Sequence, residues 1–232
     1  HTQCSLLDGL TKIPELVAFA KEQGMPAVAM TDHGTLSGAI EFYKECKAQG
    51  VKPIIGIETY VAARRHTDKD PAKDKQRFHL ILLATNVTGW RNLMILSTEA
   101  NLHGMDYFPR VDHELLEKYN EGIIALSACL GGEIGDALKT EQYDKAKEIA
   151  SWYKSVFGDR YYLEIQDHGH PKAPSHNAEQ KLVNDQVFKL SKELDIPMVL
   201  TCDAHYLRHE DQDAHEILLC VGTGAFLSDE KR

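Results

Sequence analysis

A chain of 232 residues, 43% hydrophobic and 26% charged, carries enough apolar surface to bury a sizeable core; its 8 prolines and 16 glycines are scattered, so one domain over 1–232 is expected. A formal net charge of -9 argues against a protein that holds nucleic acid by bulk electrostatics alone. No apolar run approaches the length of a membrane span, no charged-then-apolar leader opens the chain, and Cys4, Cys46, Cys129, Cys202 and Cys220 form an odd set without a CxxC pair, which together read as a cytoplasmic protein with reduced thiols.

A helix-like stretch over 13–22 is followed by an apolar run, 27–30, that ends abruptly in Thr31-Asp32-His33-Gly34, a strand and then a site loop. A helical pattern over 36–49 closes at Gly50, and a β-rich run over 53–61 carries Glu58 near its end. Arg64, Arg65 and the polar run 67–76 read as a solvated loop, with a basic lip for a phosphate backbone as the alternative. The alternation continues with a strand over 79–84 before a helix around 90–102, then a strand over 122–127 before helices covering roughly 133–157. A strand over 160–165 precedes a helix near 177–194, and a strand over 197–201 precedes a last helix over 210–220. Apolar strands alternating with amphipathic helices predict a parallel sheet covered by helices, either open and doubly wound or closed into a barrel; periodicity does not choose between them.

The strand ends share one chemistry. Asp32 and His33 follow one strand, Glu58 lies near the end of the next, Cys129 follows the strand at 122–127, Asp167 and His168 follow that at 160–165, and Asp203 and His205 follow that at 197–201. Loops at the carboxyl ends of parallel strands converge on one face, so residues distant in sequence can meet there. Imidazole, carboxylate and thiolate suit zinc, manganese or iron, and so mixed a set implies more than one ion. Two or three ions close together fit phosphoester hydrolysis, because they activate water, polarise the phosphoryl group and stabilise the leaving oxygen. His79 fits less well: it opens its strand instead of closing it, and the pattern alone makes it a core or rim histidine.

His1-Thr2-Gln3 with SLLDGL, then AMTDHG, PIIGIETYV, FHLILLA, ALSACLG, YYLEIQDHG and LTCDAHY, in this order and spacing, resemble the PHP (polymerase and histidinol phosphatase) domain of bacterial DNA polymerase III α subunits. The resemblance spans essentially the whole chain. It implies an α/β fold, a distorted (β/α)7 barrel with its site at the carboxyl ends of the strands, the first strand being largely missing from this chain. It also implies that the chain is a fragment of a longer polymerase. The metal cluster implied is two or three divalent ions (zinc, manganese or iron) held by His1, Asp8, His33, Glu58, His79, Cys129, Asp203 and His205, with Glu58 as the bridging carboxylate. The opening family motif is H-x-H, and His1 matches its second histidine. Asp32 would orient His33 from behind, and His168 would stand at the rim or meet a substrate phosphate. Glu58, His33 and His205 are the residues assigned to catalysis, the two histidines as movers of a proton. His66, His103, His113, His170, His176 and His215 are left as ordinary polar or packing histidines, and Arg208 and His209 as surface residues at a helix start.

The activity this resemblance implies is metal-dependent cleavage of the terminal phosphodiester of DNA, a 3′ to 5′ proofreading exonuclease beside a polymerase. TDHG keeps its histidine and ALSAC its cysteine, which favours an active hydrolase over a ligand-stripped platform. Two alternatives stand beside it: a structural and subunit-docking module of the polymerase, and a histidinol-phosphatase-like phosphomonoesterase, against which SLLDGL and ALSACLG weigh. The partners implied are the 3′ end of DNA as substrate, the remainder of the α chain and a proofreading subunit, with no membrane.

Overall fold

The computed structural model describes residues 1–169 and 174–229, so the expectations for His170 and for the side chain of His176 lie outside the described residues. In chain order the elements are α1 (Ile13–Glu22), β1 (Ala27–Met30), α2 (Ala39–Gln49), β2 (Lys52–Ala62), β3 (Arg77–Ala84), α3 (Val87–Leu102), β4 (Met105–Asp106), β5 (Phe108–Val111), α4 (His113–Lys118), β6 (Ile123–Leu126), α5 (Glu133–Lys139), α6 (Tyr143–Phe157), β7 (Tyr161–Gln166), α7 (Pro174–Leu194), β8 (Met198–Thr201) and α8 (Gln212–Thr223). The strands expected from the sequence are all present, and β4, β5 and α4 are additional to them. The chain divides into two compact units, one of His1–Ile57 with Ala204–Arg232 and the other of Glu58–Asp203.

In the first unit, α1 has a proline in its first turn, where the missing N–H is no loss, and it turns Ile13, Val17 and Ala20 inward at helical spacing. β1 runs parallel to the first half of β2, with Ala27 opposite Lys52 and Met30 opposite Ile55. Parallel neighbours need a crossover, and α2 supplies it before ending at Gly50, whose φ of 77° is the left-handed conformation that favours glycine. Phe42 and Cys46 of α2 complete a core with Ile13, Val17 and Met30. Burying each of the larger of these side chains contributes about 1.5–3 kcal/mol.

The second unit takes the rest of β2 into a sheet of order β4-β5-β2-β3-β6-β7-β8. β2 is parallel to β5, β6 to β7 and β7 to β8, whereas β3 is antiparallel to β6, with Ile81 opposite Leu126 and Ala84 opposite Ile123. The expected parallel sheet is therefore corrected to a mixed one. The cause lies in the connection: β2 and β3 are neighbours, and the segment 63–76 that joins them contains no helix to carry the chain back for a parallel return. Helices cover this sheet through Leu93, Leu96 and Ala100 of α3 and Ala146, Ala150, Tyr153 and Phe157 of α6.

The segment 63–76 also differs from expectation. Many of its side chains face solvent, but its backbone is anchored. Arg110, 1% exposed, donates to the carbonyls of His66 (3.3 Å), Asp68 (2.8 Å), Asp74 (3.0 Å) and Gly104 (3.2 Å). Arg64 donates twice to Asp74, at 2.8 and 2.7 Å, and this pairing holds the Asp74 carboxyl down to about 2. Arg65 pairs with Asp112 and Glu114. Both arginines are thus engaged by carboxylates of this segment and of its neighbours. His66, expected to be ordinary, is buried against Asp112, its Nδ1 2.6 Å from the carboxylate.

Among the described residues no helix is long and apolar enough to cross a membrane.

Candidate metal centre

In the first unit the segment before α1 is folded onto itself by local hydrogen bonds. Ser5 N–H donates to the Thr2 carbonyl (2.9 Å), Gly9 N–H to Ser5 (2.8 Å), and Leu10 N–H to His205 (2.8 Å), while the nitrogen of His1 donates to Ala204 (2.7 Å). Gly9 is required here, because a Cβ would stand 2.1 Å from the Thr2 carbonyl oxygen. The result brings three histidines from three distant segments together: the His1 ring stacks on His33 at 4.1 Å and on His205 at 4.3 Å between centroids. One ring nitrogen of each lies within 4.8 Å of those of the other two.

Asp8 sits against two of these rings, its Oδ2 2.8 Å from His33 Nε2 and 3.2 Å from His205 Nε2. Burial pushes its carboxyl pKa up, but the hydrogen bonds and positive charge of His205 and His33 prevail and hold it well below the usual carboxylate range. His1, Asp8, His33 and His205, four of the residues singled out in the sequence, thus lie together. Asp32 acts differently from expectation. Instead of backing the His33 ring, its carboxylate accepts from Thr2 N–H (2.6 Å), the Thr2 hydroxyl (2.8 Å) and the Ser5 hydroxyl (3.1 Å). Ser5 Oγ in turn accepts from His33 N–H at 3.0 Å and lies 3.0 Å from His1 Nδ1, so through Ser5 Asp32 is linked to the His33 backbone and to the His1 ring. His215, set aside as ordinary, donates from Nε2 to the Asp8 carbonyl at 2.8 Å, and its ring stands 5.8 Å from that of His205. Burial pushes its pKa down.

In the second unit the antiparallel course of β3 resolves the position of His79. The start of an antiparallel strand lies beside the end of its neighbour, so His79 meets the turn that follows β6: its N–H donates to the Gly131 carbonyl at 3.0 Å, and its Nδ1 lies 3.6 Å from Cys129 Sγ. The same imidazole pairs with Glu58, which is 2% exposed near the middle of β2. Burial pulls the His79 pKa down, but Cys129 and Glu58 push it up to about 10. Glu58 also has a carboxylate oxygen within 4.8 Å of one of Asp203, which stands at φ 47° just after β8. Glu58, His79, Cys129 and Asp203 form the second collection.

Glu164, in the middle of β7, was not singled out by the sequence. It is 7% exposed and accepts from Ala128 N–H at 3.1 Å, Gln166 Nε2 at 3.1 Å and the Thr201 hydroxyl. Burial pushes its pKa up; hydrogen bonds from Thr201 and Gln166 oppose this, and the charges of Asp203 and Glu58 add to it. Imidazole, carboxylate and thiolate donors are the set that divalent zinc, manganese or iron accept, so the donor chemistry collected here fits the implied ions. At the end of β7, Asp167 caps its own turn by accepting from Gly169 N–H at 3.1 Å, and His168 Nε2 lies 3.2 Å from Gln166 Oε1. Arg208 pairs with Glu22 and covers the Phe19 ring, a surface role as expected.

The chain is similar to known proteins over its whole length. Proteins named DNA polymerase III subunit alpha match the whole chain: that of Campylobacter jejuni is 46% identical over 242 residues, covering 100% of this chain and 19% of its own length. Those of Borreliella burgdorferi and Thermus aquaticus are each 45% identical, again over 100% of this chain and over 20% and 19% of theirs. The chain spans about a fifth of the length of these curated relatives. Among solved structures, a candidate metal-dependent phosphoesterase from Bifidobacterium adolescentis aligns with a TM-score of 0.50 and 15% identity over 92% of each chain. An amidohydrolase from Chromobacterium violaceum, with bound sulfate and no metal, aligns with a TM-score of 0.54 and 12% identity over 94% of each chain. At those identities the likeness concerns the fold, and it supports the α/β architecture of PHP type read from the sequence. The PHP domain family matches residues 1–168, and the chain belongs to that family.

Proposed function

We propose that this chain is the PHP domain of a bacterial DNA polymerase III α subunit, that its two units work as one domain, and that it hydrolyses phosphoesters with two or three divalent ions. The ligands would be His1, Asp8, His33, Glu58, His79, Cys129, Asp203 and His205, and the substrate the 3′ end of a DNA strand, shortened 3′ to 5′ as in proofreading. The observation that carries the reading is the Asp8 carboxylate held by His33 and His205 while His1 stacks on both rings. Apolar side chains would fill such a site without desolvating an anion and three imidazoles, so a ligand function explains what packing does not.

When bound, the ions would supply activation of water and neutralisation of charge on the phosphoryl group. The chain's residues set the stage for that chemistry. Glu58, which pairs with His79 and has an oxygen near one of Asp203, would be the carboxylate shared between ions. His33 and His205 each hold Nε2 against the Asp8 carboxylate, and would be the groups that help move a proton. The chain itself is acidic, at -9, so the DNA backbone would be gripped by the remainder of the α chain. A cytoplasmic location follows from this role and suits the free thiols.

The test is elemental analysis of the purified chain with an exonuclease assay on a labelled oligonucleotide, for wild type and His33→Ala. Two or three equivalents of metal, with shortening from the 3′ end that falls at least about 100-fold in the variant, are expected. Release of phosphate from small phosphomonoesters without shortening of DNA would instead favour the phosphomonoesterase. Metal that holds the fold but supports neither reaction, even with the polymerase present, would favour a structural and docking module for the polymerase and its proofreading subunit.

A further inference from the structure

β7 presents Glu164 and Gln166 at alternate positions on one face, and His168 follows in the same phase beyond the strand end. Among the described residues no lysine, arginine or histidine pairs with Glu164; its partners are all neutral donors. They belong to two places. Oε2 accepts from Ala128 N–H at 3.1 Å, and Ala128 stands at φ 62° immediately before Cys129. Oε1 accepts from the hydroxyl of Thr201, two residues before Asp203, which stands at φ 47°. Of the two, Ala128 has no side chain that favours the left-handed region, so its turn persists only where the surroundings enforce it.

The same end of β7 is fastened twice more. Glu164 N–H donates to Ser127 Oγ at 2.8 Å, and Gln166 Nε2 lies 3.3 Å from Thr201 Oγ1 while donating to Glu164. An apolar side chain would fill this position without burying a charge, so the carboxylate is better explained by what its two oxygens connect.

We infer that Glu164 is a positioning residue that clamps the Ala128–Cys129 turn to the Thr201–Asp203 segment, and so sets the Cys129 thiolate and the Asp203 carboxylate at the separation that bound divalent ions require. This rests on the metal-centre reading above. Glu164 is not a ligand in it: both oxygens are taken by hydrogen bonds from the segments they hold. Partners that orient ligands in this way commonly alter metal affinity by about 10–100-fold when removed.

The experiment measures binding of zinc and manganese by competition with a chelator, and records the thiolate-to-metal charge-transfer band of the cobalt-substituted chain, for wild type, Glu164→Gln and Thr201→Val. Glu164→Gln keeps the shape but replaces one acceptor oxygen by an NH2 group; Thr201→Val deletes a single hydroxyl. Both are expected to bind zinc at least about 10-fold more weakly and to lose intensity in the thiolate band, while circular dichroism stays that of wild type. Affinities within about twofold of wild type, with the band unchanged, overturn the assignment. Should Glu164→Gln not fold, Thr201→Val decides by the same criterion. A wild-type chain that binds none of these ions defeats the metal reading itself, whereas wild-type binding with unaffected variants defeats only the role of Glu164.

Discussion

Removing the Asp32 carboxylate should unfasten the first unit's histidines from below. The side chain is 0% exposed, and its oxygens accept from Thr2 N–H, the Thr2 hydroxyl and the Ser5 hydroxyl at 2.6, 2.8 and 3.1 Å. Asp32→Ala leaves all of these donors facing a void. The Ser5 hydroxyl can turn to His1 Nδ1, already 3.0 Å away, so the main cost falls on Thr2, which is itself 0% exposed. A buried polar group without a partner costs about 1–3 kcal/mol, and with the charge-assisted character of these bonds the variant should lose about 3 kcal/mol. Asp32→Asn retains an oxygen for Thr2 N–H and should lose about 1 kcal/mol. Urea unfolding followed by circular dichroism, in the presence of a chelator so that no metal contributes, measures both. An Asp32→Ala variant within about 0.5 kcal/mol of wild type, or no weaker than Asp32→Asn, would refute the claim that this carboxylate organises the segment.

Other outcomes follow from the same geometry. Burial pushes the Asp112 carboxyl up, but His66 and the backbone N–H groups of His66 and Leu115 pull it below its ordinary 3.8. A depressed acid contributes stability that is present above its unfolded pKa and is lost as pH falls through the folded value; the stability gap between wild type and Asp112→Asn should be level above about pH 5 and should close in stronger acid, and a gap that widens there would contradict it. Gly89→Ala, usually favourable in a helix, should destabilise by about 2 kcal/mol or more, because the new Cβ would stand 1.8 Å from the Gly122 carbonyl oxygen; a raised melting temperature would contradict this. Zinc at about 100 times its dissociation constant should raise stability by about 2.7 kcal/mol, reversibly with chelator; no shift would mean that the folded chain binds it no better than the unfolded one.

The alternation of strand and helix was legible because the strands are apolar and their caps are chemically marked. What the sequence concealed was direction. Periodicity is the same for a strand running either way, so from the pattern alone β3 reads as one more parallel strand with His79 at the end away from the site, and only the family resemblance brings His79 to it. The absence of any helical pattern over 63–76 was the available clue, since a parallel return needs one. The β4–β5 pair, of two and four residues and turning at Tyr107 with φ 60°, is too short for a period to register. α3 begins at Val87 and not near Trp90, because Gly89 in its first turn looks like a breaker; it is there to let the Gly122 carbonyl approach.

The expected ligands stand out for a related reason: imidazoles, carboxylates and a thiol just beyond apolar strands have few structural uses. The residues that hold those ligands in place are harder to see, because they occur where a polar residue is ordinarily taken for a solvated one. Asp32 was recognised but assigned to the wrong atoms, since sequence shows that it precedes His33 and not that Thr2 folds onto it. His215 lies on α8, more than 200 residues from Asp8, and no spacing announces that contact. Glu164 carries a signal in its surroundings. In YYLEIQ it reads as the outward member of an alternating strand, yet a strand flanked by helices on both sides in sequence belongs to a covered sheet, where neither face is wet. There Tyr161, Leu163, Glu164 and Gln166 are all buried, and alternation does not hold. A carboxylate inside such a strand has to be satisfied by the turns at the strand ends. Those turns carry the expected ligands Cys129 and Asp203, so a buried acid in mid-strand is itself a pointer to the candidate site.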